Sequence, residues 1–207
     1  MSLKLLDVIK DRRSVKEYFS KEISKEVLLR ILEAGRWAPS AHNAQPWRFI
    51  VIKDSALKHK IAVDMTRRWN EDLSKNGIPK EQRESLIKAS VDQFGNAPII
   101  IVACLAMEGM DEYPDDQRKK IENVMAVQSV AAAIENVLLA AHGEGLGSCW
   151  FCAPLFCQDV VRKTLKIPKH AYPQALITLG YPANKPNPPP RKPLEYIVHQ
   201  NFWGHPI

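Results

Sequence analysis

The feature that most constrains this chain is the run PIIIVACL, Pro98 to Leu105, which is apolar at almost every position instead of alternating. A short uninterrupted apolar run of this length, rich in β-branched residues, reads as a strand buried on both faces. It is followed by the longest periodic segment of the chain, Gln117 to His142. There Val124, Val127, Ala131, Ile134, Leu138 and Ala141 form one stripe, and alanines surround it. Small side chains at this density favour close helix packing.

The remaining segments read from punctuation and period. Leu3 to Asp11 is a first helix, and Ser24 is an N-cap for a second, with Ile23 and Leu28 placed as a hydrophobic staple. Gly35 and Pro39 close that helix. Trp47 to Lys53 is a strand. Ala56 to Lys75 and Glu81 to Phe94 are helices separated by Gly77 and Pro79. Ser148 to Cys152 is a strand candidate after glycines 143, 145 and 147, followed by a helix near Gln158 to Leu165 and a strand from Gln174 to Tyr181. The 207 residues read as a single domain, 1–207, with 182–207 as an extended arm. That arm is rich in proline yet carries Leu194, Tyr196, Ile197, Val198, Phe202 and Trp203, too much apolar surface to leave in water.

Composition narrows the function classes. Apolar content of 45% and charged content of 25% are ordinary for a globular chain. The longest apolar run, Ala97 to Met107, is well short of the roughly 20 residues of a membrane helix. The start MSLKLLDVIKDRR lacks a signal peptide's apolar core, so the expectation is a cytoplasmic protein with no membrane partner. The net charge of +6 is scattered among helices that also carry Asp and Glu, with no basic stripe, so nucleic acid is not expected. A small anionic ligand suits the same balance.

Hydrolytic and metal chemistry have no visible machinery. The six histidines show no HExxH spacing, no GxSxG elbow is present, and Asp115 with Asp116 reads as an acidic helix start. Cys149 and Cys152 form a CxxC, but a strand points odd-spaced residues to opposite faces and no second ligand pair follows, so packed thiols are expected. HGEGLGSCW has the glycines of a dinucleotide fingerprint in the wrong context, because a helix precedes them and a strand follows. Gly143 is expected as the helix C-cap, with Gly145 and Gly147 permitting a close backbone approach.

Two further clusters are chemically dense. RRSVK, Arg12 to Lys16, places two guanidiniums, a hydroxyl and an ammonium within five positions. Such a group suits a phosphate cradle, but taken alone it suits a basic helix C-terminus better. APSAHNAQPW, ending at Trp47, puts Ser40, Asn43 and Gln45 in a helix-to-strand loop from Pro39 to Pro46. Loops on rigid flanks carry function, although these side chains also satisfy local backbone.

RRSVK, APSAHNAQPW and GLGSCW, in this order and followed by a Pro-rich arm bearing Arg191, resemble the nitroreductase-like FMN-dependent oxidoreductases over nearly the whole chain. The resemblance implies an α+β, three-layer fold with a central mixed, mainly antiparallel sheet flanked by helices. It also implies a homodimer with FMN at the subunit interface and the 182–207 arm wrapping the partner. Arg12, Ser14 and Arg191 would then hold the phosphate, Arg13 would contribute backbone or charge, and Lys16 would lie by the ring's pyrimidine edge and tune it. Pro39, Ser40, Ala41 and Asn43 would reach the flavin from the second subunit, with Gln45 supporting the loop. Trp150, Phe151 and Cys152 would lay backbone against the ring. This chain has Lys16 where many relatives have Arg, and Pro189 where some have Lys.

The implied chemistry is ping-pong hydride transfer from a reduced nicotinamide or deazaflavin to a small conjugated or nitroaromatic acceptor. No catalytic protein residue is required, because the reaction is the cofactor's. RRWNEDL, YPDDQR and PLFCQDVVRKTLKIP further resemble the nitroreductase-type domain of deazaflavin-coenzyme biosynthesis, which reduces a dehydro precursor. Arg67, Arg68 and Trp69 are candidates for lining an acceptor pocket, or for an exposed helix face. A flavin-binding protein without turnover is the alternative of another class.

Overall fold

A computed structural model describes residues 4–206. Six helices are α1 (Leu5–Asp11), α2 (Lys25–Arg36), α3 (Ser55–Lys75), α4 (Lys80–Gly95), α5 (Asp116–Gly143) and α6 (Gln158–Leu165). Five strands are β1 (Tyr18–Phe19), β2 (Trp47–Ile52), β3 (Ile99–Ala106), β4 (Gly147–Phe151) and β5 (Ala171–Pro182). The expected first helix begins at Leu5; its first residue, Leu3, lies outside the described residues.

All eight residues of β3 are buried, and the strand lies between β2 and β5, antiparallel to both. Its side chains divide by the period of two. Ile99, Ile101, Ala103 and Leu105 enter one core with Ile31 of α2 and Ala133, Ile134 and Val137 of α5. Ile100, Val102 and Cys104 enter a second core with Ile61 and Met65 of α3, Phe94 of α4 and Val161 of α6. Burying each such aliphatic side chain stabilises by about 1.5–3 kcal/mol, so neither face tolerates solvent. The result is three layers, with α2 and α5 on one face and α3, α4 and α6 on the other. β4 and β1 both pair with β5 antiparallel, and a single parallel bridge, Ser14 to Ser148, makes the sheet mixed.

Local signals act as the sequence implies at several termini. Ser24 Oγ accepts from Val27 N at 3.3 Å, and Ile23 and Leu28 are buried beside it. Asp54 and Asp115 cap α3 and α5 in the same way. All four cysteines are free, with Cys104, Cys149 and Cys157 buried.

Two expectations are corrected. The buried stripe of α5 is Ala126, Val130, Ala133, Val137 and Ala141, with Ile134 and Leu138, whereas Val124 and Val127 are exposed together with Ile121. α5 is apolar around much of its circumference, so periodicity alone cannot select the face that α2 and the sheet cover. It is long and apolar enough by composition to cross a membrane, with a mean hydropathy of 1.7 in its best window, of which 44% is buried in the fold. The second correction is that Gly143 is still helical. The left-handed residue is Gly145 (φ 75°), and the turn is closed by Leu146 N donating to Ala141 O at 2.8 Å.

Past β5 the arm has one short 3-10 turn, Leu194–Tyr196, and a lone bridge between His199 and Pro206. Leu194, Tyr196, Ile197, Phe202 and Trp203 are exposed, Trp203 to 91%. Leu5, Leu6 and Ile9 of α1 are exposed as well.

Gly147 is required where β4 begins, since a Cβ there would lie 2.7 Å from Val15 Cβ and within 2.9 Å of both its methyls. Gly147→Ala is therefore expected to destabilise by about 1–3 kcal/mol through overpacking, read as a lower urea midpoint at unchanged slope.

Candidate functional site

RRSVK follows α1 as an extended segment fastened to the free edge of β4. Val15 N donates to Ser148 O at 2.9 Å, and the buried Val15 side chain seats on Gly147. With Val15 turned inward, the segment's alternation places Ser14 and Lys16 on the other side. Lys16 Nζ stands 5.8 Å from the centre of the Phe151 ring. Burial pushes the Cys149 thiol up, while Lys16, the Ser14 hydroxyl and Arg12 pull it the other way. The structure thus sets Lys16 at the Phe151 ring of β4, with Ser14 on the same side of the segment.

The two arginines are used differently. Arg13 Nη1 donates to Lys10 O at 2.7 Å and Arg12 O at 2.8 Å, so its guanidinium closes the end of α1, as a basic helix C-terminus does. Arg12 has only a loose ion pair, Nε to Glu135 Oε1 at 3.7 Å. A small cavity of about 170 Å³ lies beside them, lined also by His142, Ser148 and Lys185. Burial holds His142 below its ordinary value, and Lys185, Arg12 and Arg13 add to that against Asp11. Arg12, Arg13 and Lys185 outnumber Asp11 around this cavity.

The Pro39 to Pro46 loop is held tightly. Gln45 N donates to Ser40 Oγ at 3.1 Å, Ala41 N donates to Ser129 Oγ of α5 at 3.2 Å, and the Gln45 amide reaches Asn43 O at 3.4 Å. His42, Asn43 and Gln45 all have φ near 50°, left-handed without being glycine. Such strain costs of order 1 kcal/mol or more per residue and persists only where surroundings impose it.

This loop does not join RRSVK within one chain. It leads into β2, and the sheet order from there is β2, β3, β5, β4. Three strand spacings separate the two edges by about 14 Å. Arg191 is exposed on the arm, and no hydrogen bond or ion pair links it to RRSVK among the described residues. The two clusters therefore stand apart within one chain.

Beyond Phe151 opens a cavity of about 410 Å³. Met65, Trp69, Phe94, Phe151 and Phe156 give it apolar walls, and Phe94 meets Phe151 edge-on at 5.0 Å. Arg68 stands at this cavity, paired with Asp159 at 2.8 Å. Of the three candidates on α3, Arg68 and Trp69 line the space, while Arg67 lies off it beside Asp64 at 3.6 Å. Phe94 and Phe156 come from distant segments, and no local pattern marks them.

The comparisons agree with this architecture. A model of the nitroreductase family matches residues 9–181. A provisionally named NADH dehydrogenase/NAD(P)H nitroreductase of Methanothermobacter thermautotrophicus is 32% identical over 184 residues, 88% of this chain and 79% of that protein. Iodotyrosine deiodinase 1 of Mus musculus is 29% identical over 211 residues, 95% of this chain and 69% of its own. The crystal structure of a BluB-like flavoprotein from Clostridium difficile superposes with a TM-score of 0.80 at 26% identity, covering 97% of this chain and all of the other. A family match across most of the chain, on the three-layer α+β fold just described, places this protein in the nitroreductase family.

Proposed function

We propose that the protein is an FMN-dependent oxidoreductase that works as a homodimer and passes hydride from a reduced nicotinamide or deazaflavin to a small conjugated or nitroaromatic acceptor. The observation that carries this reading is the seating of RRSVK on the edge of β4, with Lys16 at the Phe151 ring and Arg12 beside a small basic cavity, a donor set that fits a phosphorylated, flat aromatic ligand. When bound, FMN supplies reversible two-electron chemistry, so donor and acceptor use one place in turn.

The residues then have distinct work. Arg12 and Ser14 hold the phosphate with Arg191 of the arm, and Arg13 adds charge while its guanidinium closes α1. Lys16 stands ready for the negative charge that reduction places on the pyrimidine edge, which raises the potential. The backbone of Trp150, Phe151 and Cys152 would support the ring, offering an N–H to the bound flavin. Pro39, Ser40, Ala41 and Asn43 come from the other subunit, braced by Gln45. The separation of the two clusters within one chain supports that arrangement. The exposed apolar residues of arm 182–207 and α1 supply surface for the dimer.

The aromatic cavity favours turnover over mere flavin storage, because a storage protein needs no second space beside the ring. Its walls suit a planar acceptor, and Arg68 suits one with an anionic group. Reduction of a dehydro precursor in deazaflavin-coenzyme biosynthesis is one such reaction. Anaerobic mixing of flavin-loaded protein with NADH, NADPH or reduced deazaflavin, then with acceptors, tests turnover directly. Bleaching and recovery support the enzyme, and flavin that no donor reduces leaves only binding.

Purified protein is expected to take up FMN with micromolar or tighter affinity. Arg12→Ala should weaken that by about 10- to 100-fold, the worth of a charge-assisted contact, with an unchanged far-UV spectrum. Unaltered affinity in a flavin titration would place the phosphate elsewhere. Truncation after Pro186 is expected to shift the protein toward monomer in sedimentation and to weaken FMN uptake, and a stable dimer with full affinity would remove the arm from the assembly.

A further inference from the structure

Glu122 is a carboxylate in the wrong surroundings for a structural residue. It projects from α5 at 3% exposure, and its Oε2 is buried with no hydrogen-bond partner among the described residues. A buried, half-satisfied carboxylate is costly unless a cation completes it. None of the salt bridges to Glu122 involves Lys or Arg among the described residues; the contact it makes is with His42, whose Nε2 is 3.4 Å from Oε1. Asp111 closes the group from the loop after β3, with Oδ2 3.9 Å from His42 Nδ1. The three side chains come from three separate segments, and one ligand atom of each lies within 4.8 Å of the other two.

We propose that His42, Asp111 and Glu122 form a mononuclear divalent-metal site, with Glu122 as its buried base and Zn²⁺ as the cation it fits. The His42–Glu122 distance suits a shared metal, while Asp111 faces the other ring nitrogen, Nδ1, and must swing toward the Nε2 side to join it. A charge-assisted N–H to carboxylate bond is about 2.7–2.9 Å, so 3.4 Å is long for one. Donors about 2.0–2.2 Å from a tetrahedral ion lie roughly 3.4 Å from one another, which the His42–Glu122 pair already meets. Asp111 and the His42 ring are partly exposed, so modest side-chain rotation brings them in and water supplies the fourth ligand. One imidazole with two carboxylates selects a borderline cation such as Zn²⁺ over Mg²⁺ or Ca²⁺, which prefer oxygen alone.

Bound metal would fasten the strained 39–46 loop to α5. Glu122 lies two turns before Ser129, the residue whose hydroxyl already holds Ala41 N. The 107–115 loop joins the same contact, since Gly109 packs on Ala44.

The test uses full-length, flavin-free protein treated with chelator and titrated with Zn²⁺ alone, followed by calorimetry and by thermal unfolding. The expected result is one ion per chain and a raised Tm. Co²⁺ should give the visible absorption of a tetrahedral site. Asp111→Asn, on an exposed loop, and Glu122→Gln, in the helix, should each lower Zn²⁺ affinity by at least the roughly 10- to 100-fold that loss of even an outer partner costs. Wild-type protein that takes up no Zn²⁺, or variants that bind it as tightly as wild type, would overturn the site and leave His42 bridging two carboxylates. Because FMN is absent from the titration, the flavin reading and the metal reading fail independently.

Discussion

Everything in this molecule is arranged around the burial of β3. A strand with all eight residues buried must be covered on both faces and paired on both edges, and these demands create the rest. Its odd and even residues recruit different helices, which fixes three layers. Its two edges take β2 and β5, so whatever precedes β2 lies far from whatever follows α5. The loop from Pro39 to Pro46 and the segment from Arg12 to Lys16 are held apart by the strand that organises the core.

The basic segment owes its position to a contact that is almost purely steric. RRSVK has no strand of its own length to pair with; it meets β4 through Val15 N donating to Ser148 O and the bridge at Ser14 and Ser148. Val15 seats it, and Val15 fits only because residue 147 has no side chain. With Val15 inward, Ser14 and Lys16 turn outward beside Arg12. The electrostatics of the site thus follow from a packing event on the other side of the same five residues.

The helices show where burial is left unfinished. α5 covers the sheet with one apolar face and leaves Ile121, Val124 and Val127 in the open, near neither core. The arm and α1 add further exposed apolar surface. Clusters on opposite sheet edges and uncovered apolar surface call for the same remedy, a second copy of the chain, which is why flavin binding and assembly are proposed together. Beside Ile121 at the same end of α5, the buried Glu122 carboxylate is left with one oxygen unpartnered among the described residues, which is why a cation is proposed there.

The sequence by itself determined the elements, because the signals that start and stop them are local. A Ser or Asp hydroxyl or carboxylate caps a helix from within three residues, and the all-apolar run at Ile99 announces a two-faced strand without help from distant residues. It also marked the clusters whose side chains are chemically unusual, RRSVK and the Ser40–Asn43–Gln45 loop. Tertiary structure alone decided which face of α5 is inside, since apolar residues ring the helix and only the position of α2 chooses among them. It alone decided that Gly145, and not Gly143, turns the chain, because the helix runs on through Gly143 and the Ala141 carbonyl accepts the closing bond from Leu146. It alone gathered Trp69, Phe94 and Phe156 around one cavity and His42, Asp111 and Glu122 around one point. Such groupings depend on where whole layers come to rest, and no spacing along the chain encodes them.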